Sequence, residues 1–159
     1  MRKLKLINDD YLGHFDHVRH ASRGIVIKEG KVLLIYEKNE DKYIIPGGGT
    51  EDGESLEECC EREMLEETGL IVRAGERVLE VEELFLNWQH FQHYFMCEIV
   101  EDTGRQNLTD AEVINGDEPR WVPVEEAKEI FGRYEDYRKT SVADYGLYKR
   151  EYLVLQELT

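Results

Sequence analysis

Proline is scarce. Only three occur in 159 residues, and none falls between Pro46 and Pro119. Cysteine is equally scarce: Cys59, Cys60 and Cys97, with no CxxC pair. Neighbouring cysteines on a helix point to different parts of it and make no ordinary bridge. The reading is of reduced, packing cysteines in a reducing compartment. No apolar run approaches a membrane span. The start, MRKLKLINDD, is basic but soon turns acidic, and it lacks a secretory apolar core or a small-residue cleavage site. A cytoplasmic protein with no membrane partner is expected. Positive charge is also short, with 20 Lys and Arg against 35 Asp and Glu, a net charge of −15. A protein that grips nucleic acid through its phosphates needs a basic surface. No basic run here is longer than Arg2-Lys3, so long RNA or DNA is a poor candidate ligand. A small anionic substrate stays open if a metal neutralises its phosphates.

What is present fits an ordinary folded chain. The content is 41% apolar and 35% charged, and residues 1–159 are read as one domain long enough to bury a core. No repeat and no low-complexity segment stands out.

The densest information lies in Gly48 to Leu70, GGTEDGESLEECCEREMLEETGL. Ser55 is a good N-cap, Glu58 three residues on completes a capping box, and Gly69 is a stop. Wound at the helical period, Leu56, Cys59 and Cys60 begin an apolar stripe that Glu63, Glu66 and Glu67 continue. Glu63 is i,i+3 to Glu66 and i,i+4 to Glu67, spacings at which like charges cost about 0.2–0.5 kcal/mol each. Facing them inward costs more. A hard divalent cation reverses that sign, because carboxylate oxygens are what Mg²⁺ prefers.

The spacing carries a resemblance. Gly48, five residues, Glu54, seven residues, then Arg62-Glu63-Met64-Leu65-Glu66-Glu67-Thr68-Gly69-Leu70 matches every fixed position of the Nudix box. The chain resembles the Nudix hydrolase superfamily over residues 20–158. The resemblance implies an α/β fold, the Nudix α/β/α sandwich with a mixed β-sheet between helices. It implies Mg²⁺ or Mn²⁺ held by Glu63, Glu66, Glu67 and the carbonyl of Gly47. It also implies an Arg62–Glu54 pair that holds the loop against the helix and orients the ligands. A homodimer follows by analogy alone.

The remaining chain is read in order. Lys3 to Ile7 is a short strand, and His14, His17 and His20 lie in an exposed or partly packed loop of an N-terminal extension over residues 1–20. Arg23–Lys28 and Lys31–Tyr36 flank Glu29-Gly30 as a hairpin. Tyr43–Ile45 is a strand ending at Pro46, before the three glycines, where backbone approaches a ligand unobstructed. Strands are expected over 71–73, 77–86 and 90–101, with a turn at Asn87-Trp88-Gln89. Residues 102–118 are a long polar loop. Pro119–Val122 is a last strand, followed by a helix from Pro123 to Phe131. A terminal helix runs over 141–158, with Tyr148, Tyr152 and Leu155 on one face.

Breaking a pyrophosphate linkage asks for neutralised phosphate, an activated water and a stabilised leaving group, all of which divalent metals supply. Glu67 or an acid of the 102–118 loop would be the base. Glu118 sits where many Nudix sequences carry a further glutamate, with Glu112 and Asp117 as rivals. Gly48 and Gly49 are expected at the substrate, and Trp88 and Phe91 are candidates to stack on a nucleobase. The expected activity is metal-dependent hydrolysis of a small nucleoside diphosphate derivative. The alternatives are a nucleoside-triphosphate pyrophosphohydrolase and a non-catalytic nucleotide-sensing module. The proline typical of ADP-ribose hydrolases about sixteen residues past the box is absent, and so is the tyrosine typical of the dinucleoside-polyphosphate group.

Overall fold

A computed structural model describes all 159 residues. In chain order the strands and helices are β1 (Arg2–Ile7), β2 (His17–Ile25), β3 (Ile27–Lys28), β4 (Lys31–Glu37), β5 (Lys42–Ile44), β6 (Gly47–Gly49), α1 (Leu56–Thr68), β7 (Leu70–Phe85), β8 (Trp88–Asp102), α2 (Asp110–Asn115), β9 (Asp117–Pro123), α3 (Val124–Gly132) and α4 (Val142–Leu158).

The strands form two sheets. The first is mixed, in the order β1-β7-β8-β2-β6. Within it β1 runs parallel to β7 and β2 parallel to β8, while β7–β8 and β2–β6 are antiparallel. The second is antiparallel and built on β4, with β3 and β5 along one edge and β9 along the other. The predicted hairpin arm 23–28 is therefore split. Residues 17–25 pair with β8, and only Ile27 and Lys28 return onto β4. Glu29 (φ 53°) and Gly30 (φ 75°) make that return with two consecutive left-handed residues, the turn that matches the twist of a tight hairpin.

Helices cover both sides, as the sandwich requires. On one side Cys60 and Met64 of α1 pack with Val26, Leu33, Leu70, Val72 and Phe95. On the other, Phe131 of α3 and Tyr148, Val154 and Leu155 of α4 pack with Ile25, Val32, Leu34, Ile45, Leu79, Val81 and Tyr94. Each large apolar side chain so buried contributes about 1.5–3 kcal/mol of transfer free energy. Ile25 and Val26 serve opposite cores, so the crossing between sheets ties the two halves together.

Other boundaries differ from expectation for local reasons. The strand pieces 71–73 and 77–86 are one long β7, bent by irregularities near Ile71, Ala74 and Arg77. The turn lies at Leu86-Asn87, and Trp88 already belongs to β8. His17 and His20 lie in β2, not in a loop. The 102–118 segment contains α2, with Thr109 and Glu112 as a capping box and left-handed Gly116 as its stop, and Asp117 and Glu118 already belong to β9. Residues Tyr134–Tyr137 make a short 3₁₀ turn.

Candidate active site

The capping box that starts α1 is formed as expected by Ser55 and Glu58, and Gly69 (φ 76°) ends the helix. The carboxylates of Glu66 and Glu67 fall in its last turn, which has no basic residue. A helix C-terminus carries partial negative charge and prefers cations. Burial compounds the cost: Glu67 is only 7% exposed. The sequence places acid where both helix field and desolvation oppose it.

Arg62 partly offsets that charge. Its Nε and Nη2 donate to the two carboxylate oxygens of Glu54 at 2.6 and 3.0 Å. Nη1 donates to Glu63 Oε1 at 3.0 Å and Glu66 Oε2 at 3.2 Å, and Nη2 also donates to the Gly49 carbonyl at 3.1 Å. One guanidinium thus joins the loop, β6 and two carboxylates of α1. The Arg62 guanidinium drives the Glu54 carboxyl down to about 2.

The glycine strand lies against this cluster because nothing larger fits. A Cβ on Gly48 would stand 2.5 Å from Glu63 Oε1, and one on Gly49 would stand 2.6 Å from Arg19 Nη2. Gly47 N–H donates to Glu67 Oε2 at 3.1 Å. Even so, burial, with Glu63 adding to it, pushes the Glu67 carboxyl well above its usual range. Burial also raises Glu63, against the pull of Arg62.

These groups line one cleft of about 510 Å³. Gly47, Gly48, Gly49, Arg62, Glu63, Glu66 and Glu67 form one wall, with Arg19 and Arg23 beside them and Asn107 to Thr109 and Glu112 closing the far side. Glu54 stands behind Arg62. The three acids considered for the loop separate clearly. Glu112 lines the cleft. Asp117 is buried on β9, where desolvation raises it to about 6. Glu118, on the alternate face of that strand, pairs with Arg120 at 2.6 Å and Lys38 at 3.3 Å, outside the cleft lining. The two aromatic candidates also separate. Phe91 stacks on His20 at 4.9 Å, whereas Trp88 joins His17 and His90 at 4.5 and 5.4 Å. Neither lines the cleft. The two cleft arginines, Arg19 and Arg23, escaped sequence reasoning. They sit four residues apart on a strand, so period-two alternation puts both on one face, but nothing local marks that face as the one bordering the glycines.

The donor set fits a hard divalent cation in kind: three carboxylates and a backbone carbonyl, beside glycines that leave room. Their present rotamers turn Glu63 and Glu66 onto Arg62, and no three acidic, histidine or cysteine side chains converge on a common cation position. No helix is long and apolar enough to cross a membrane.

Comparison with known proteins follows the same line. The NUDIX domain family model matches residues 18–142. An ADP-ribose pyrophosphatase of Methanocaldococcus jannaschii is 47% identical over 58 residues, 35% of this chain and 34% of its own. A Bacillus subtilis protein provisionally named an 8-oxo-dGTP diphosphatase is 34% identical over 87 residues, 54% of this chain and 55% of its own. The chain thus spans about a third to a half of the curated relatives it matches. Among solved structures, a NUDIX hydrolase from Nitrosomonas europaea superposes with a TM-score of 0.62 at 21% identity, over 70% of this chain and 76% of that one. At that identity the likeness speaks for the fold. A domain match over most of the chain, joined to a box whose glycines, arginine and glutamates meet in one cleft, shows that this chain belongs to the NUDIX family.

Proposed function

We propose that the protein hydrolyses a phosphoanhydride bond in a small nucleotide derivative, with a nucleoside diphosphate joined to another moiety as the substrate class. The observation that carries this reading is the gathering of Glu63, Glu66 and Glu67 into a single cleft that also holds Arg19 and Arg23. The names of both curated relatives, for ADP-ribose and for 8-oxo-dGTP, support cleavage of nucleotide pyrophosphates.

The residues divide the work by position. Arg19 and Arg23 present guanidinium groups suited to phosphate oxygens. Arg62, anchored on Glu54, fixes the rotamers of Glu63 and Glu66. The Gly47 N–H holds Glu67, and the lack of side chains on Gly48 and Gly49 lets phosphate approach the backbone. Glu63, Glu66, Glu67 and the Gly47 carbonyl would hold Mg²⁺ or Mn²⁺, which would supply phosphate neutralisation and water activation. Glu112, the loop acid that lines the cleft, takes the proton of the attacking water, with Glu67 as the other acceptor. Trp88 and Phe91 each pack against histidine and neither lines the cleft, so neither is assigned to base stacking.

The name of the Bacillus subtilis relative favours a second reading, pyrophosphate release from a nucleoside triphosphate. A panel of ADP-ribose, nucleotide sugars, dinucleotides, 8-oxo-dGTP and ordinary triphosphates, each with Mg²⁺ and with Mn²⁺, separates the two by product. Glu67→Gln is the control and is expected to abolish turnover while keeping the fold. Wild-type turnover in that variant overturns the site. Product from none of the panel overturns the hydrolase reading in favour of a sensing module.

A further inference from the structure

The two cleft arginines are held in opposite ways. Arg19 is exposed. Arg23 is only 8% exposed, and its stem lies under Gly47, where a Cβ would stand 2.5 Å from Arg23 Cγ. Its Nε donates to Gln92 Oε1 and its Nη1 to the Ile45 carbonyl, both at 2.8 Å. Its remaining nitrogen, Nη2, has no partner in the protein and keeps accessible surface. Arg23 lines the cleft, so Nη2 is the donor it offers there.

Both ties are themselves fixed from behind. The strand register sets Gln92 of β8 opposite Ala21 of β2 and Val81 of β7. Arg23 and Glu83 lie two residues further along those strands, so period-two alternation puts all three side chains on one face. Gln92 is buried, and its Nε2 donates to Glu83 Oε1 at 2.9 Å. A carboxylate only accepts, so Glu83 takes the donor end of the amide and turns its oxygen onto Arg23. Arg150 of α4, also buried, donates through Nη1 to the same Glu83 oxygen at 3.1 Å and through Nε to Glu151 Oε1 at 2.9 Å. Glu151 Oε2 in turn accepts the Ile45 N–H at 2.6 Å. The Ile45 peptide is therefore clamped at both ends, and both ties of Arg23 run back to one guanidinium on α4. Two arginines and two carboxylates balance the charge of this network. A buried polar network connected in this way is rigid.

We propose that Gln92 is a positioning residue, which locks Arg23 so that Nη2 meets a phosphate of the substrate with no side-chain freedom left to lose. The inference rests on the function proposed above in taking the ligand of Arg23 to be a diphosphate.

The test uses the full-length protein and methylenediphosphonate with Mg²⁺, a diphosphate whose bridging carbon resists cleavage. Calorimetry gives its affinity for the wild type, Gln92→Met, Arg23→Met and the double variant, with circular dichroism as the check on folding. Gln92→Met keeps the length of the side chain and loses both hydrogen bonds. It should weaken binding by about tenfold in the wild type, yet by less than about twofold when Arg23 is already replaced, because the two act as one unit. Nuclear magnetic resonance supplies a signature that a merely structural role would not give. The Arg23 Nε–H, assigned by its loss in Arg23→Met, should exchange with solvent more slowly than that of Arg19, should shift when methylenediphosphonate is added, and should lose its protection in Gln92→Met. Wild-type affinity in Gln92→Met, a loss that persists in full without Arg23, or an Arg23 Nε–H that exchanges as fast as that of Arg19 overturns the proposal. So does a wild type that binds no methylenediphosphonate. If Gln92→Met does not fold, the wild-type Nε–H decides alone: slow exchange with a ligand-induced shift supports the proposal, and the absence of either overturns it. None of these readouts needs turnover. A protein that shows the coupling but cleaves nothing in the substrate panel loses the hydrolase reading and keeps this one.

Discussion

Arg62 grips Glu54 with two nitrogens on two oxygens, at 2.6 and 3.0 Å, while its third nitrogen reaches Glu63 and Glu66. The pair positions the cleft acids. Lysine keeps the charge but cannot make a two-point bond. Arg62→Lys should lower kcat by about 10–100-fold, with an unchanged circular dichroism spectrum. Full activity in this variant would show the pair to be an ordinary surface ion pair.

Gly48 has no room for a methyl group. Its Cβ would sit 2.5 Å from the Glu63 carboxylate. Gly48→Ala should displace Glu63 and lower activity by about 100-fold, since small misplacements at a reacting centre cost that much. Thermal stability should change little, because β6 is short and half-exposed. Steady-state kinetics beside a melting curve measure both.

Glu112 and Glu118 make opposite predictions. Glu112→Gln preserves the capping box of α2, because glutamine serves at that position, yet it removes a proton acceptor and should lower kcat by about 100-fold or more. Glu118→Gln loses only pairs with Arg120 and Lys38 on partly exposed side chains, which solvent screens, and kcat should stay near wild type. Equal loss in both variants would return the base to an open question between strand and loop.

His93 sets a pH dependence of stability. It is almost fully buried, hydrogen-bonded to Arg77 and His20 at 3.0 Å each. Burial, then the Arg77 and His20 charges, lower it to about 4. The unfolded chain takes up that proton near 6.5. Between these values the unfolded state binds more protons, so stability falls as pH drops from about 6.5 toward 4. His90, lowered to about 4 chiefly by burial, adds in the same direction. Asp117, raised to about 6, opposes both. Denaturant midpoints across this range should fall less steeply in His93→Gln, by about one proton's worth of slope. An unchanged slope would mean that His93 is protonated in the fold.

The acidic wall of the cleft was legible because helical geometry fixes its spacing. Glu63, Glu66 and Glu67 stand at i, i+3 and i+4 and so share one face of α1, whatever surrounds it. The strand faces were less legible. Trp88 and Phe91 differ by an odd number of positions, so they sit on opposite faces, and the sequence offers no sign of which face borders the cleft. Asp117 and Glu118 differ in the same way, which is why the acid at the expected position points to Arg120. The split at Val26 leaves no mark at all, because Ile25 and Val26 are equally apolar and only tertiary pairing sends them to different cores. The short helix α2 did have a local signal. Thr109, Glu112 and Gly116 spell its cap and stop, hidden inside a polar stretch.

The segment that follows β8 also caps α1. Asn107 N–H donates to the Glu66 carbonyl at 2.6 Å, Gln106 donates to those of Glu67 and Asp117, and Thr103 donates to that of Gly69. Such a segment cannot swing aside as a flap without stripping the helix of its terminal partners. The far side of the cleft is therefore anchored to the acidic wall through residues 103–107, and Arg19 and Glu51 are the exposed residues on the rest of its lining.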